Sequence, residues 1–233
     1  MTDITSPDRT TVEYDALDRL TARRHSTRAF RPDPVPRDVV DKILAIAQRA
    51  PSWCNTQPWH VTITRGAETE AFREGLSEHA TSQPMVTDFE FPGEYRGEYR
   101  NRRREAGIAL YSALGITRED RAASGRQMLE NFRLFGAPHV AIVTTEEHLG
   151  VYGAVDCGLY VQSFLLAAES LGVACIPQAA LASHSDFIRR HFDLPDERRV
   201  LCGISFGYED ANHAANSFRT SRADLESGVT RRE

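Results

Sequence analysis

Hydrophobic positions recur along the chain with two different periods, which separate predicted helices from predicted strands. Apolar residues between positions 39 and 50 lie three or four apart, the spacing of one helix face, and Pro36 and Pro51 bound that segment. At 59–64 apolar and polar residues alternate and β-branched side chains are frequent, so we predict a strand. The same patterns predict further helices at about 12–22, 67–80, 95–115, 118–134, 150–171 and 186–192, and strands at 139–145, 172–177 and 200–208.

These elements follow one another without the regular strand–helix alternation of a doubly wound sheet, so the predicted fold class is α+β. Hydrophobic residues make up 41% of the 233 positions and charged residues 26%, which is ordinary for a soluble globular protein. The formal net charge of -5 gives no reason to expect nucleic acid or an anionic membrane as partner. The basic run at 100–105 does not change this, because glutamates surround it and no second basic patch with interleaved aromatics accompanies it.

The most apolar segment, 150–172, contains Asp156, Gln162 and Glu169, which a membrane span tolerates poorly, so we predict a buried helix. The polar N-terminus shows no signal peptide. The cysteines at 157, 175 and 202 lie in apolar runs without a C-x-x-C pair, which favours buried free thiols and no metal site. The expected location is therefore the cytoplasm.

Two polar segments could each form part of a binding site. In an extended stretch, Arg24, Ser26 and Arg28 share one face and suit a phosphate or an electron-rich ring edge; the alternative is a solvated basic turn. In the second, PSWCNTQPWHV at 51–61, Asn55 offers both donors and an acceptor for a heteroaromatic edge. The alternative there is that Ser52 and Asn55 satisfy local backbone groups in a turn.

Two later segments have similar properties. At 176–182, small residues after a proline let a ligand approach the backbone closely, although a plain connecting loop is the simpler interpretation of that segment alone. At 217–226, Arg219 and Arg222 could bind an anion or belong to a charged tail. The sequence contains no glycine-rich motif for a dinucleotide or nucleotide, and no nucleophilic triad can be placed. We therefore expect a reaction to rely on a bound organic cofactor, and we assign no catalytic side chain.

Taken together and in this order, the segments 23–30, 50–61, 171–181 and 219–222 resemble the FMN-dependent nitroreductase family over about residues 20–225. The resemblance implies a three-layer α/β/α fold with a mostly antiparallel central sheet and an obligate homodimer that binds FMN at its interface. It also implies a ping-pong reaction in which NADH or NADPH reduces the flavin and a nitroaromatic acceptor then takes the electrons. The apolar helix at 150–171 would be the central helix of the dimer.

The resemblance also implies roles for individual residues. Arg24 and Ser26 would hold the phosphate and ribityl chain, His25 would contribute through its backbone, and Arg28 would lie at the pyrimidine edge of the ring. The other predicted FMN-binding residues are Ser52, Asn55, Pro177, Gln178, Ala179, Ala180 and the phosphate-binding candidates Arg222 and Arg219. Some relatives carry an acidic residue and glycine where this chain has Ala179 and Ala180.

The middle of the chain resembles an insertion found in a subgroup that reduces nitrobenzoates and similar compounds. We therefore predict a single domain at 11–225 with a helical insertion at about 90–135 that caps the active site, between a disordered segment 1–10 and a tail 226–233. The candidate contacts for a small aromatic substrate are Tyr95, Tyr99, Arg103 and Phe132, with helix packing as the alternative for each. Other open functions are reduction of quinones, enones or halogenated aromatics, and flavin storage without turnover.

Overall fold

The computed structural model of the protein describes residues 9–232, and its elements follow the predicted order of helices and strands. The helices are α1 (Arg9–Arg23), α2 (Arg37–Ala47), α3 (Ala67–Ser82), α4 (Gly97–Ala113), α5 (Arg121–Leu129), α6 (Gly150–Ser170) and α7 (Ser185–His191). The strands are β1 (His60–Ile63), β2 (His139–Glu146), β3 (Ala174–Gln178) and β4 (Arg198–Gly207). The first eight residues of the predicted disordered segment lie outside the described residues, and its last two begin α1.

The four strands form one sheet in the order β1-β2-β4-β3, and every neighbouring pair is antiparallel. The two central strands are the longest, so β2 and β4 carry most of the pairing. β1 and β3 are the two edges. The predicted α+β class and antiparallel sheet are confirmed.

Alternating side chains of the central strands supply two separate hydrophobic cores. Val140 and Ile142 point to one face, where α3 and α7 pack through Phe72, Leu76 and Ile188. Ala141 and Val143 point to the other, where α2 and α6 cover them. Because successive strand residues face opposite sides, one sheet can be buried by helices on both faces, and the predicted three layers are confirmed.

Helix α6 buries one side and leaves the other exposed. Its buried residues include Asp156, Tyr160 and Phe164, which pack against the sheet and α2. By length and composition Glu147–Ser170 is the one helical segment within residues 9–232 that could cross a membrane, yet 44% of its most apolar window is buried inside the protein. The opposite side exposes Val151, Tyr152, Val155 and Leu159. The prediction of a buried helix is therefore correct for one side only.

Most predicted elements differ from the observed ones by one to three residues at an end, and the largest difference is in the helix predicted at 118–134. The helix predicted at 118–134 is shorter because Asp120 caps its start by accepting the Ala123 N–H at 2.8 Å, and positive φ angles at Leu134 (57°) and Phe135 (52°) turn the chain afterwards. The strand predicted at 172–177 extends through Pro177 to Gln178. β3 is an edge strand, where a proline is tolerated because it need not donate to a second neighbour.

All four cysteines are free thiols, as predicted for three of them. Cys157 and Cys175 are buried, whereas Cys202 is only partly buried and Cys54 is exposed. Burial raises the pKa of Cys157 to about 11 and that of Cys202 to about 12, so these thiols stay protonated at neutral pH.

A buried ion pair fixes the loop that leads into α4. The Asp88 carboxylate, 3% exposed, accepts hydrogen bonds from both terminal nitrogens of Arg189 at 2.8 and 2.9 Å and from the Val200 N–H at 2.7 Å. Burial acts to raise the pKa of Asp88, but these hydrogen bonds outweigh it and hold the pKa below its ordinary value.

Replacing Asp88 by Asn should lower the free energy of unfolding by about 3 kcal/mol, because it leaves the Arg189 guanidinium buried without its counter-charge. Since the folded-state pKa of Asp88 is depressed, its contribution is present above the unfolded pKa of about 3.9 and is lost as the pH falls through the folded value. Urea unfolding of both proteins at pH 7 and in acid measures this. Asp38→Asn, at an exposed pair with Lys42, is the control, and an equal effect of the two changes would contradict the prediction.

Candidate functional site

Backbone pairing places the predicted cationic segment beside β3. The Thr27 N–H donates to the Cys175 carbonyl at 3.1 Å, and Ser26 forms an isolated parallel bridge with Cys175. Ser26 and Arg28 therefore lie next to Ile176 and the residues that follow it. Two segments separated by about 150 positions in the sequence are joined at one edge of the sheet.

Two adjoining cavities open at this edge, and Ser26 and Arg28 line both. The inner cavity, about 300 Å³, lies between these two residues, the end of β3 with the following Ala179, and helices α4 and α5, which contribute Tyr111 and Met128. The outer cavity, about 230 Å³, contains the predicted residues Arg24, His25, Ser26, Arg28, Arg219 and Arg222.

The outer cavity is cationic, and no carboxylate is among its lining residues. The Arg219 guanidinium donates only to the carbonyls of Asn216 and Phe218, and Arg222 donates to Thr220 and the Ser221 carbonyl. Guanidinium groups that lack a carboxylate partner at a common cavity are suited to bind a phosphate through charge-assisted hydrogen bonds. This arrangement fits the phosphate end of FMN.

Arg28 is a partly buried cation that has no carboxylate partner within residues 9–232. Its guanidinium donates to the Ser26 carbonyl at 3.1 Å and lies 5.5 Å from the centre of the Phe218 ring. Burial lowers the pKa of Arg28, yet an arginine remains charged at neutral pH. A fixed positive charge that borders both cavities favours a ligand with an electron-rich or anionic edge, as the ring of reduced FMN has.

Asn216 positions Arg28, and the sequence did not single it out. The Asn216 side-chain oxygen accepts the Arg28 N–H at 2.7 Å, and its amide donates to the carbonyls of Ala29 and Asp210, both at 2.9 Å. With 4% exposure it is buried among these partners. Its nearness in sequence to Arg219 was the one available signal, because the three backbone partners become neighbours only in the fold.

Two predicted residues have side chains that are occupied elsewhere. The Gln178 side chain is buried, accepts from the Ser205 hydroxyl at 2.5 Å and donates to the Asn131 carbonyl at 2.9 Å. The His25 ring lies 3.0 Å from a Glu209 carboxylate oxygen. For both residues the backbone is therefore the part that remains for a ligand. Ala179 and Ala180 begin a short 3-10 helix, whose first N–H groups have no partner within that helix.

Ser52 and Asn55 lie at the opposite side of the molecule from these cavities. They precede β1, which is one edge of the sheet, whereas the cationic segment pairs with β3 at the other edge. Helix α6 contacts both regions: the Trp53 N–H donates to the Asp156 carboxylate at 3.0 Å, and Arg23 pairs with Glu169. These two α6 positions are 13 residues and so about 20 Å apart along the axis. A single chain does not bring the two halves of the predicted site together.

The segment 52–57 has an unusual backbone. Cys54, Asn55 and Gln57 have positive φ angles of 52°, 56° and 47°. Each such residue costs on the order of 1 kcal/mol, and strain of this kind clusters at functional sites. The Ser52 hydroxyl accepts the Gln57 N–H at 2.9 Å, as the turn interpretation expects, while the exposed Asn55 amide has no partner among the described residues.

The predicted substrate contacts do not line the inner cavity. Tyr99 is 70% exposed on α4, and Arg103 stacks 5.2 Å from the centre of the Tyr95 ring. Phe132 packs against the His184 ring and the core beneath α3. Tyr111, which the sequence did not single out, occupies the wall of the inner cavity instead. Its position follows from how α4 lies on the domain, which no local pattern reveals.

Sequence and fold both resemble those of known enzymes. A model of the nitroreductase family matches residues 21–208. The chain is 37% identical over 223 residues to nitroreductase NfnB of Mycolicibacterium smegmatis, and the match covers 95% of each protein. It is 33% identical over 218 residues to 4-nitrobenzoate reductase of Pseudomonas putida, and that match covers 93% of this chain and 95% of the enzyme. A crystal structure of the FMN-dependent nitroreductase NfnB from Mycobacterium smegmatis in complex with NADPH matches with a TM-score of 0.91 and 36% identity, covering 95% of this chain and 100% of that one.

Proposed function

Since the chain belongs to the nitroreductase family, we propose that it is an FMN-dependent oxidoreductase that uses NAD(P)H to reduce nitroaromatic compounds by a ping-pong mechanism. The observation that carries this proposal is the pair of adjoining cavities beside β3. The outer one is lined by four arginines that have no carboxylate partner in the part of the chain that the structure describes, which suits a flavin phosphate. Relatives named as nitroreductases, 30% or more identical over more than 90% of the chain, support the reaction class. An enzyme of this kind works where its nicotinamide donor is kept reduced, which supports the expected cytoplasmic location.

The residues of the outer cavity would hold the phosphate of FMN. Arg24, Arg219 and Arg222 supply the charge, and the Ser26 hydroxyl lies between this cavity and the inner one, where the ribityl chain would pass. The ring would lie in the inner cavity, against the backbone of Pro177, Gln178 and Ala179, with Ala180 next in the chain and Arg28 at the pyrimidine edge of the ring. In this assignment the outer cavity holds the FMN phosphate and the inner cavity holds the ring.

When bound, FMN would supply the hydride-transfer chemistry between the nicotinamide donor and the acceptor. The protein contributes orientation, exclusion of water and the fixed charge of Arg28, which stabilises negative charge as it develops on the ring. The α4–α5 insertion, about 90–135, forms one wall of the inner cavity and would cap it. A flat aromatic acceptor would stack on the bound ring, and no acidic side chain is required to deliver protons, since water can do so.

The functional unit would be a homodimer with FMN at the interface. The exposed apolar side of α6 continues into Trp53, which is 61% exposed and packs edge-on against Tyr152 with ring centroids 4.6 Å apart. Burying this surface against a second copy removes apolar area from water. Since Ser52 and Asn55 adjoin this surface, a second copy would carry them to the partner's cavities and complete a site that one chain leaves divided.

The purified protein should be yellow, and anaerobic NADH or NADPH should bleach its flavin absorbance. A nitroaromatic such as 4-nitrobenzoate should restore the absorbance, because the acceptor reoxidises the flavin. Stopped-flow absorbance at the flavin band measures both half-reactions. A bound flavin that neither donor reduces would support a storage protein, and a colourless protein that FMN cannot reconstitute would rule out both functions.

Arg24→Ala and Arg222→Ala should each weaken FMN binding by about 1.5–3 kcal/mol, because each removes a charge-assisted contact to the phosphate. Fluorescence titration of the apoprotein with FMN and with riboflavin measures this. Only FMN affinity should fall, since riboflavin lacks the phosphate. Arg37→Ala, at an exposed arginine on α2, is the control. Unchanged FMN affinity in both cavity variants would remove the phosphate assignment.

Val155→Asp should convert the dimer to monomers and release FMN, because it places a charge in the apolar surface of α6. Light scattering coupled to gel filtration measures the mass, and the flavin-to-protein absorbance ratio measures retention. Met85→Asp changes a side chain that is 72% exposed on another loop and should leave both quantities unchanged. A Val155→Asp protein that remains dimeric and retains its flavin would place the interface elsewhere.

A further inference from the structure

The wall that α4 and α5 give to the inner cavity carries two polar side chains that no other described residue engages. Helix α4 contributes Tyr111 and helix α5 contributes Gln127, and both residues are half-buried. Within residues 9–232 neither side chain forms a hydrogen bond, so the Tyr111 hydroxyl and the Gln127 amide remain available to a ligand. Because a polar group removed from bulk water is costly without a partner, this pair suits a bound group that accepts hydrogen bonds.

The other two side-chain amides of the inner cavity are engaged within the protein. The Gln178 amide donates to the Asn131 carbonyl at 2.9 Å, and its oxygen accepts from the Ser205 hydroxyl. The Asn131 amide donates to the Met128 carbonyl at 3.0 Å. The contact between Gln178 and Asn131 joins β3 directly to the chain that follows α5. Since Gln127 lies four residues before Asn131, about one helical turn away, this contact also fixes the position of Gln127 relative to β3.

The two walls of the inner cavity differ in charge. The wall beside β3 includes the Arg28 guanidinium, and the flavin ring is assigned to that side. The wall formed by residues 110–135 contains no charged residue in the described chain; besides the two free donors and the engaged Asn131, it consists of the apolar side chains of Leu110, Met128 and Phe135. Phe135 has a positive φ of 52°, and such backbone strain clusters at functional sites. A neutral wall with two hydrogen-bond donors among apolar side chains suits a flat apolar ring that carries an oxygen-bearing substituent.

We propose that Tyr111 and Gln127 donate hydrogen bonds to the nitro oxygens of the acceptor and so orient it over the flavin ring. This inference rests on the proposed function and deepens it, because it assigns the two side chains that recognise the acceptor. The hydroxyl and the amide are neutral, so they bind the oxygens of an uncharged nitro group without requiring a charged substrate.

The same two donors favour the reaction in one direction of electron flow. Reduction of a nitro group to a nitroso group takes up a hydride from the reduced flavin and one proton from the solvent, breaks one N–O bond and releases that oxygen as water. Negative charge builds up on the nitro oxygens as the hydride arrives, and hydrogen-bond donors placed at those atoms stabilise it. The nicotinamide instead becomes positively charged as it gives up its hydride, so the two donors do not assist reduction of the flavin.

Benzoate tests the contact without turnover, because its carboxylate has the planar shape of a nitro group and takes no electrons from the flavin. Titration of the oxidised holoprotein, followed through the flavin absorbance, measures the Kd of benzoate. Tyr111→Phe and Gln127→Met should each weaken benzoate binding about tenfold, because each removes one donor to a charged oxygen and nearly keeps the size of the side chain. Tyr14→Phe, at a tyrosine of α1 that is 68% exposed, should bind benzoate as the wild type does. Absence of benzoate binding in the wild type, or wild-type affinity in both cavity variants, would overturn the proposal.

Separate half-reactions distinguish this inference from the proposed function. Stopped-flow reoxidation of the reduced flavin by nitrobenzene should be about tenfold or more slower in each cavity variant. Reduction by NADH or NADPH should keep its wild-type rate, and so should reoxidation by ferricyanide, which takes electrons without a nitro oxygen. Equal slowing with nitrobenzene and ferricyanide would place the defect at the flavin and overturn the assignment. Wild-type rates with nitrobenzene in both variants would also overturn it but leave the proposed function intact, whereas a wild-type flavin that no nitroaromatic reoxidises would refute the proposed function itself.

Discussion

The backbone pairing of Thr27 with Cys175 is the constraint on which the candidate site depends. It attaches an extended cationic segment to the edge strand β3. After β3 the chain continues into small residues, which let a ligand approach the backbone. Asn216 binds the next two backbone positions, the Arg28 N–H and the Ala29 carbonyl, and so holds the backbone from which the Arg28 side chain extends. The C-terminal arginines reach the same place because the residues after β4 return alongside this segment, as the Asp210 N–H bond to the Ala29 carbonyl shows.

The candidate site is formed largely by arginines that have no carboxylate partner among the described residues. Most arginines near the central strands meet a carboxylate, as Arg189 does with Asp88 and Arg198 with Glu146. At the outer cavity beside β3, Arg219 and Arg222 donate instead to backbone carbonyls and to the Thr220 hydroxyl. Keeping cations together without counter-ions destabilises the free protein, so this surface is understood most simply as a binding surface for a phosphate-bearing ligand.

The sheet order also keeps the two halves of the predicted site apart within one chain. β1 and β3 are opposite edges, and two further strands separate the segment 52–57 from the segment 24–28. Neither loop can cross that distance, since Trp53 is held by Asp156 and Arg23 by Glu169 at well-separated points on α6. The apolar side of α6, exposed between these points, is the surface through which a second copy would unite them.

The sequence by itself determined the order of helices and strands, the α+β class and the four polar segments, because hydrophobic periodicity and turn chemistry are local properties. It also predicted that the long apolar helix is buried, although it could not show that one side of α6 stays exposed. Only the tertiary structure decided that the Gln178 side chain is held by Ser205, that Asn216 positions Arg28, and that Tyr111 rather than Tyr99 reaches the inner cavity. These facts depend on contacts between residues far apart in the chain, and such contacts are set by how packed layers align, which no window of sequence contains.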